Sequence, residues 1–424
     1  MREDTPDPSI SPSNSERRFP NEIFAIIIDD LNDDLPSLRA TALVCKDFVG
    51  LSQRHIFRTI DVTSTHSQTS EQVHRSASEC MNRLSTLLRD PQSVSLGRFV
   101  QSFHFYVPSG LPIFRTTEIL THSLQNMPSL AELRLTSPGP EHFQVIQERC
   151  PHALKELSII SPLPQDLQAF QNMLASMPNL EFLAMLDWRV PFWQQVLKPI
   201  ILILPSSLRE VNFGRVDPIM LEAVAHGMSI LYPQMLSTIF LQLYPAWGFR
   251  GIGALWERLQ IDTSVVLDVQ SRSYFIPEPH HFIANRVLSA IVNDTIGIML
   301  GFTAPKVILR CFQTHGLVMF ITKFISNLPH SVLKVLIALA NDGPINPRLK
   351  LEDWATLDEV LMQRHEQGLL ESVSFGRPSI LAMDTISLDM FNDIPSLLPR
   401  SEMADILKVD TAMEVGVPRA YGTA

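Results

Sequence analysis

At 424 residues, 45% hydrophobic and 18% charged, the chain carries enough apolar material for a large folded core and too little charge for wholesale disorder. Its length exceeds what one compact core usually holds, so more than one unit is expected. A formal net charge of -10, from 34 Lys+Arg against 44 Asp+Glu, sets the overall field against phosphates and excludes nucleic acid as the expected partner.

The first segment, residues 1–18, mixes acids with proline and serine and holds no apolar run, so it reads as a disordered tail rather than a secretory signal. The pattern changes at Phe19. In FPNEIFAIIIDDL, Ile23, Ile26, Ile27 and Leu31 fall at offsets of three, four and eight, one stripe of a helix. Pro20 suits its first turn, where a missing amide hydrogen costs nothing, and Glu22 places negative charge at the positive end of the helix dipole. Pro36 opens a second short helix with Leu38 and Ala42, and Val44, Phe48 and Leu51 define a third. So small a unit buries too little surface to be secure alone, which points to a partner.

The segment Phe19-Pro20-Asn21-Glu22-Ile23, followed by Ile27, Leu31, Leu38 and Leu43-Val44-Cys45-Lys46-Asp47-Phe48, closely resembles the F-box. The resemblance covers residues 19–60, about a tenth of the chain. It implies docking to a Skp-type adaptor and, through it, to a cullin of a RING-type ubiquitin ligase. The adaptor-binding positions it implies are Pro20, Glu22, Ile23, Ile27, Leu31, Val44, Cys45 and Phe48. Phe19 stands where the family usually has leucine and Phe48 where it usually has tryptophan; both keep a large apolar group.

Residues 61–95 read as a helical linker. From 96 to 385 an apolar-x-x-apolar-x-apolar pattern recurs: Val100/Phe103/Phe105, Leu130/Leu133/Leu135, Leu154/Leu157/Ile159, Leu180/Leu183/Met185, Leu208/Val211/Phe213 and Leu236/Ile239/Leu241. Successive units start 24 to 30 residues apart by the residue numbers, near the ~20–29 of leucine-rich repeats. The expected fold is therefore α/β: a small N-terminal three-helix F-box followed by an irregular leucine-rich-repeat solenoid. The pattern fades past 260, where Val265/Leu267/Val269 and Val307/Leu309/Cys311 still read as strands, returns weakly at Leu333/Leu336 and Leu370/Val373/Phe375, and leaves 386–424 as a C-terminal cap or tail. The competing expectation is an ordinary α/β domain in which strands and helices alternate without translational symmetry.

Chemistry-bearing motifs are weak throughout. GFRGIG, with Gly248, Gly251 and Gly253, lacks the spacing and the Lys-Ser/Thr of a phosphate loop. Asp29, Asp30, Asp33 and Asp34 lack the glycine and later glutamate of a calcium loop, and His280-His281 lacks further ligands. Cys45, Cys80, Cys150 and Cys311 form no close pair, which fits a reducing compartment, cytoplasm or nucleus. No apolar stretch reaches the ~20 residues of a membrane span. No catalytic residue, metal or cofactor is expected; the function expected is that of a substrate-receptor adaptor for an unknown protein substrate. Candidate contact positions are Glu132, Arg134, Lys155, Glu156, Arg209 and Asn212, between the apolar residues of each unit. The alternative is a leucine-rich interaction scaffold with no part in ubiquitination.

Overall fold

The computed structural model describes residues 21–62, 70–90, 93, 95–108, 110–149, 152–163, 167–188, 201–214, 216, 218–230, 236–243, 264–269, 306–312, 317–328, 330–340, 351–378 and 388–413. Three helices come first: α1 (Asn21–Asp30), α2 (Leu35–Ala42) and α3 (Lys46–Ile56). Asp34 caps α2, its carboxylate accepting the backbone N–H and the hydroxyl of Ser37. That paired carboxylate titrates below its ordinary range, held there first by the Ser37 hydroxyl.

Two residues after α3 the chain enters β1 (Thr59–Asp61), and α4 (Ser70–Arg89) follows. Next come β2 (Ser102–Tyr106), α5 (Ile113–Asn126), β3 (Glu132–Thr136), α6 (Pro140–Arg149), β4 (Glu156–Ile160), α7 (Leu167–Ala175), β5 (Phe182–Leu186), β6 (Glu210–Gly214), α8 (Pro218–Ile230) and β7 (Thr238–Leu243). Beyond these lie β8 (Ser264–Val269), β9 (Lys306–Phe312), α9 (Leu317–Ser326), β10 (Lys334–Ala340), α10 (Leu351–Glu366), β11 (Ser372–Pro378), α11 (Leu388–Leu397), α12 (Pro399–Met403) and β12 (Leu407–Met413). The described strands make one sheet of twelve in sequence order, every neighbouring pair parallel.

Period-two alternation decides which side chains go inward. Phe103, Phe105, Leu133, Leu135, Leu157, Ile159, Leu183, Met185, Val211, Phe213, Ile239 and Leu241 are buried against Ile119, Leu120, Phe143, Ile146, Phe170 and Met173 of the helices. Phe143, Phe170 and Trp188 form an aromatic knot, with the closest ring centroids 4.5 Å apart. α4 joins the same core through Met81 and Leu84. Glycine is required at two close approaches. A Cβ on Gly97 would lie 2.1 Å from the Asn126 carbonyl oxygen, and one on Gly227 would lie 2.0 Å from that of Leu202.

The expectation of a leucine-rich-repeat solenoid is corrected: among the described residues the architecture is an all-parallel α/β sheet, with helices between many of its strands and no closed barrel. A solenoid stacks equivalent units, each repeating its neighbour's geometry. Here the connecting helix is nine residues long between β4 and β5 and sixteen between β10 and β11, so the unit is not conserved along the sheet. The apolar-x-x-apolar-x-apolar pattern misled because any parallel strand with one face under helices generates it. At β10 the frame itself slips by one: Val335 and Ile337 are fully buried, while Leu333 and Leu336 are half-buried. Among the described residues no helix is long and apolar enough to cross a membrane.

Candidate functional site

Two contacts fix how the first helices sit. The rings of Phe24 on α1 and Phe48 on α3 are 5.0 Å apart, and Asp29 on α1 accepts from Arg54 and, at 2.7 Å, from His55 Nε2 on α3. The residue numbers of these contacts rise together along both helices, so α1 and α3 run side by side in the same direction. Hydrogen bonds from His55 first, and then Arg54, hold the Asp29 carboxyl below its ordinary range. Ile28 is 2% exposed and Leu38 fully buried, while the Phe24 and Phe48 rings are half-buried.

The remaining apolar residues of α1 face outward. Ile23, Ile26 and Ile27 are 42%, 58% and 52% exposed, at helical offsets that put them on one face. In the turn between α2 and α3, Leu43 is 87% and Val44 70% exposed, followed by exposed Cys45. Of the positions expected from sequence, Glu22, Ile23, Ile27, Val44 and Cys45 are therefore exposed, whereas Leu31 and Phe48 are half-buried and serve the interior at least in part. Pro20 lies outside the described residues. Sequence reasoning left Ile26 and Leu43 out of the site; their signal was exposure, which a run of consecutive isoleucines hides.

The carboxylates expected at the end of α1 have separate roles. Asp29 ties α1 to α3 and Asp34 caps α2, while Asp30 and Asp33 are exposed. Among the described residues no group of three potential ligands could hold a metal ion. GFRGIG and His280-His281 lie outside the described residues.

A second cluster lies on the sheet face turned away from the helices. The parallel register sets Asp61, His104 and Arg134 side by side, with Ser102 and Glu132 one row before. His104 Nδ1 is 3.3 Å from Asp61 Oδ2, and its Nε2 is 3.3 Å from Ser102 Oγ and 3.6 Å from Glu132 Oε1. Burial works to lower the imidazole pKa, but the hydrogen bonds and charges of Asp61 and Glu132 outweigh it and raise the value to about 9. Glu132 is correspondingly held below its ordinary range, first by His104.

Ser102, His104 and Asp61 thus have the outline of a nucleophilic triad, but the protonation state opposes that chemistry. A general base needs a neutral ring nitrogen. With a pKa near 9, about one ring in a hundred is neutral at pH 7. The cluster is an ion-paired joint across three strands.

The expected contact positions behave unequally. Lys155 pairs with Glu181 at 3.0 Å, and Arg209 is exposed. Arg134 and Glu156 are half-buried, and Glu132 is engaged by His104. Asn212 is only 1% exposed, because Phe182, Ala184, Leu186 and Phe240 on the same face of β5 and β7 are also buried, so it is withdrawn from any surface role. No known protein family's model matches the chain, and no curated protein matches it.

Proposed function

We propose that the chain is an F-box-type substrate receptor. Residues 19–60 dock a Skp-type adaptor, the adaptor joins them to a cullin of a ubiquitin ligase in cytoplasm or nucleus, and the sheet domain holds a protein substrate. One observation carries this reading. A three-helix unit that buries Ile28 and Leu38 and half-buries Phe24 and Phe48 leaves three further isoleucines, a leucine and a valine on its outside. Large apolar side chains cost free energy in water, and such a row on so small a unit marks a surface that a partner covers. The role is proximity: the receptor changes no bond, and holding substrate near the transferred ubiquitin raises their effective concentration.

The test is direct binding of the purified chain to a Skp-type adaptor, with Ile26→Asp/Ile27→Asp as the comparison. Both residues are more than half exposed, so the variant keeps its fold, which circular dichroism checks. Binding by the native chain and loss in the variant is the expected outcome. Absence of binding by a folded native chain overturns the receptor reading and leaves an interaction scaffold outside ubiquitination.

A further inference from the structure

The last strand offers an edge whose chemistry is self-complementary. β12 pairs with β11 on one side only, and among the described residues no strand pairs with its other side. The register sets Val373 opposite Leu407, Ser374 opposite Lys408, Phe375 opposite Val409 and Gly376 opposite Asp410. Val373 N–H donates to the Ile406 carbonyl at 2.9 Å. In a parallel ladder, a residue bonds to the two neighbours of the residue opposite it, so the backbone groups of 406 and 408 point toward β11. Those of Leu407 and Val409 therefore point to the open edge, where unpaired N–H and C=O groups form a template for another strand.

We propose that this edge pairs with β12 of a second copy of the chain, antiparallel and about a two-fold axis through Val409. The axis fits the backbone, because an antiparallel pair centred on one residue needs that residue's N–H and C=O on the open edge, and Val409 has them there. It also fits the charges. With Val409 opposite itself, position 408 of each copy stands opposite position 410 of the other, a lysine against an aspartate, twice over by symmetry. These are the non-hydrogen-bonded sites of the ladder, where side chains approach most closely and opposite charges stabilise best. The two-fold keeps like faces together: Leu407 and Val409 pack toward the helical core, and Lys408 is exposed on the other face. The regular register ends in a bulge between Gly376 and Pro378, which limits the paired stretch and makes the dimer weak.

Sedimentation velocity on the full chain, from about 1 to 100 µM, is the experiment, since edge-sized interfaces bind in or above the micromolar range. The expected result is a concentration-dependent dimer, weakened about tenfold by either Lys408→Asp or Asp410→Lys, which place like charges opposite each other twice, and restored by the double exchange. A chain that stays monomeric throughout overturns the proposal, and so does a dimer indifferent to both reversals. Hydrogen exchange of the native chain reads the same contact without a substitution. The Val409 amide gains protection as dimer forms if β12 is the interface; unchanged exchange at Val409 in a dimer also overturns it.

Discussion

Replacing His104 with glutamine removes one charge from the joint between β1, β2 and β3 while keeping a side chain that can hydrogen-bond. A folded pKa near 9 against an ordinary 6.5, at about 1.36 kcal/mol per pH unit, sets an upper bound of about 3 kcal/mol on what the protonated ring contributes. Asp61 and Glu132 are about a third exposed, so water screens both pairs, and about 1–2 kcal/mol is the expected size. Because the folded value is raised, the contribution is complete below pH 6.5, where the unfolded chain is protonated too. It is lost as pH rises through about 9. The assay is urea unfolding of the native chain and His104→Gln at pH 6.5 and pH 10, with the difference between proteins taken at each pH so that other titrations cancel. The variant should be about 1–2 kcal/mol less stable at pH 6.5 and close to equal at pH 10. An equal deficit at both values would refute the assignment, since a purely steric role does not titrate.

Four further outcomes follow from particular contacts. Gly97→Ala should cost about 1–3 kcal/mol in urea unfolding, because its Cβ meets the backbone carbonyl of Asn126 at 2.1 Å and one main chain must shift. Phe24→Ala should destabilise the helical module by about 1–2 kcal/mol, since its ring is half-buried, whereas Ile26→Asp should stay within about 0.5 kcal/mol of native stability and lose adaptor binding; hydrogen exchange of α1 to α3 separates the two. His142 is fully buried, with Nδ1 accepting the Gly139 N–H and Nε2 donating to Thr116 Oγ1, and burial lowers its pKa; its contribution is present above pH 6.5 and lost as pH falls below it. His142→Gln should therefore flatten the acid limb of stability between pH 7.5 and 5. Asp358→Asn should loosen α12 by about 1–3 kcal/mol, read as faster exchange at Ser401, whose N–H and hydroxyl both donate to that carboxylate.

What the sequence made legible was local. Alternation at Phe103/Phe105 or Leu133/Leu135 reports burial of one face, and those residues are buried. It does not report whether successive units are equivalent, so one-face burial and a true repeat leave the same pattern in the sequence. In α1, the consecutive Ile26, Ile27 and Ile28 satisfy several helical frames at once; Phe24 and Ile28 take the interior, and the expected stripe of Ile23, Ile26, Ile27 and Leu31 is mostly the outside. The His104 cluster was illegible because Asp61 lies 43 residues before it and Glu132 comes from a third strand, so only sheet register brings them together. Asn212 shows the converse: its polarity suggested a surface, but its neighbours across the register, Ala184 and Phe240, are apolar and buried.

The joint between helical module and sheet bears on how a receptor of this kind would work. Only Phe57 and Arg58 separate α3 from β1, and the Arg58 carbonyl accepts both the Gln101 and Ser102 N–H groups at the start of β2. Val62 N–H returns a bond to the His104 carbonyl, and the charged His104 ring ties β1 to β3 across β2. A flexible tether would let a bound substrate sample many positions relative to the adaptor, diluting it, whereas a paired strand fixes the direction in which the docking face points. The two functions should then separate under mutation. In the proposed receptor, changes at Ile26 and Ile27 should act on docking itself, while changes at His104 should leave docking intact and loosen the geometry between the docked module and whatever the sheet holds, lowering the efficiency of transfer without lowering affinity for the adaptor.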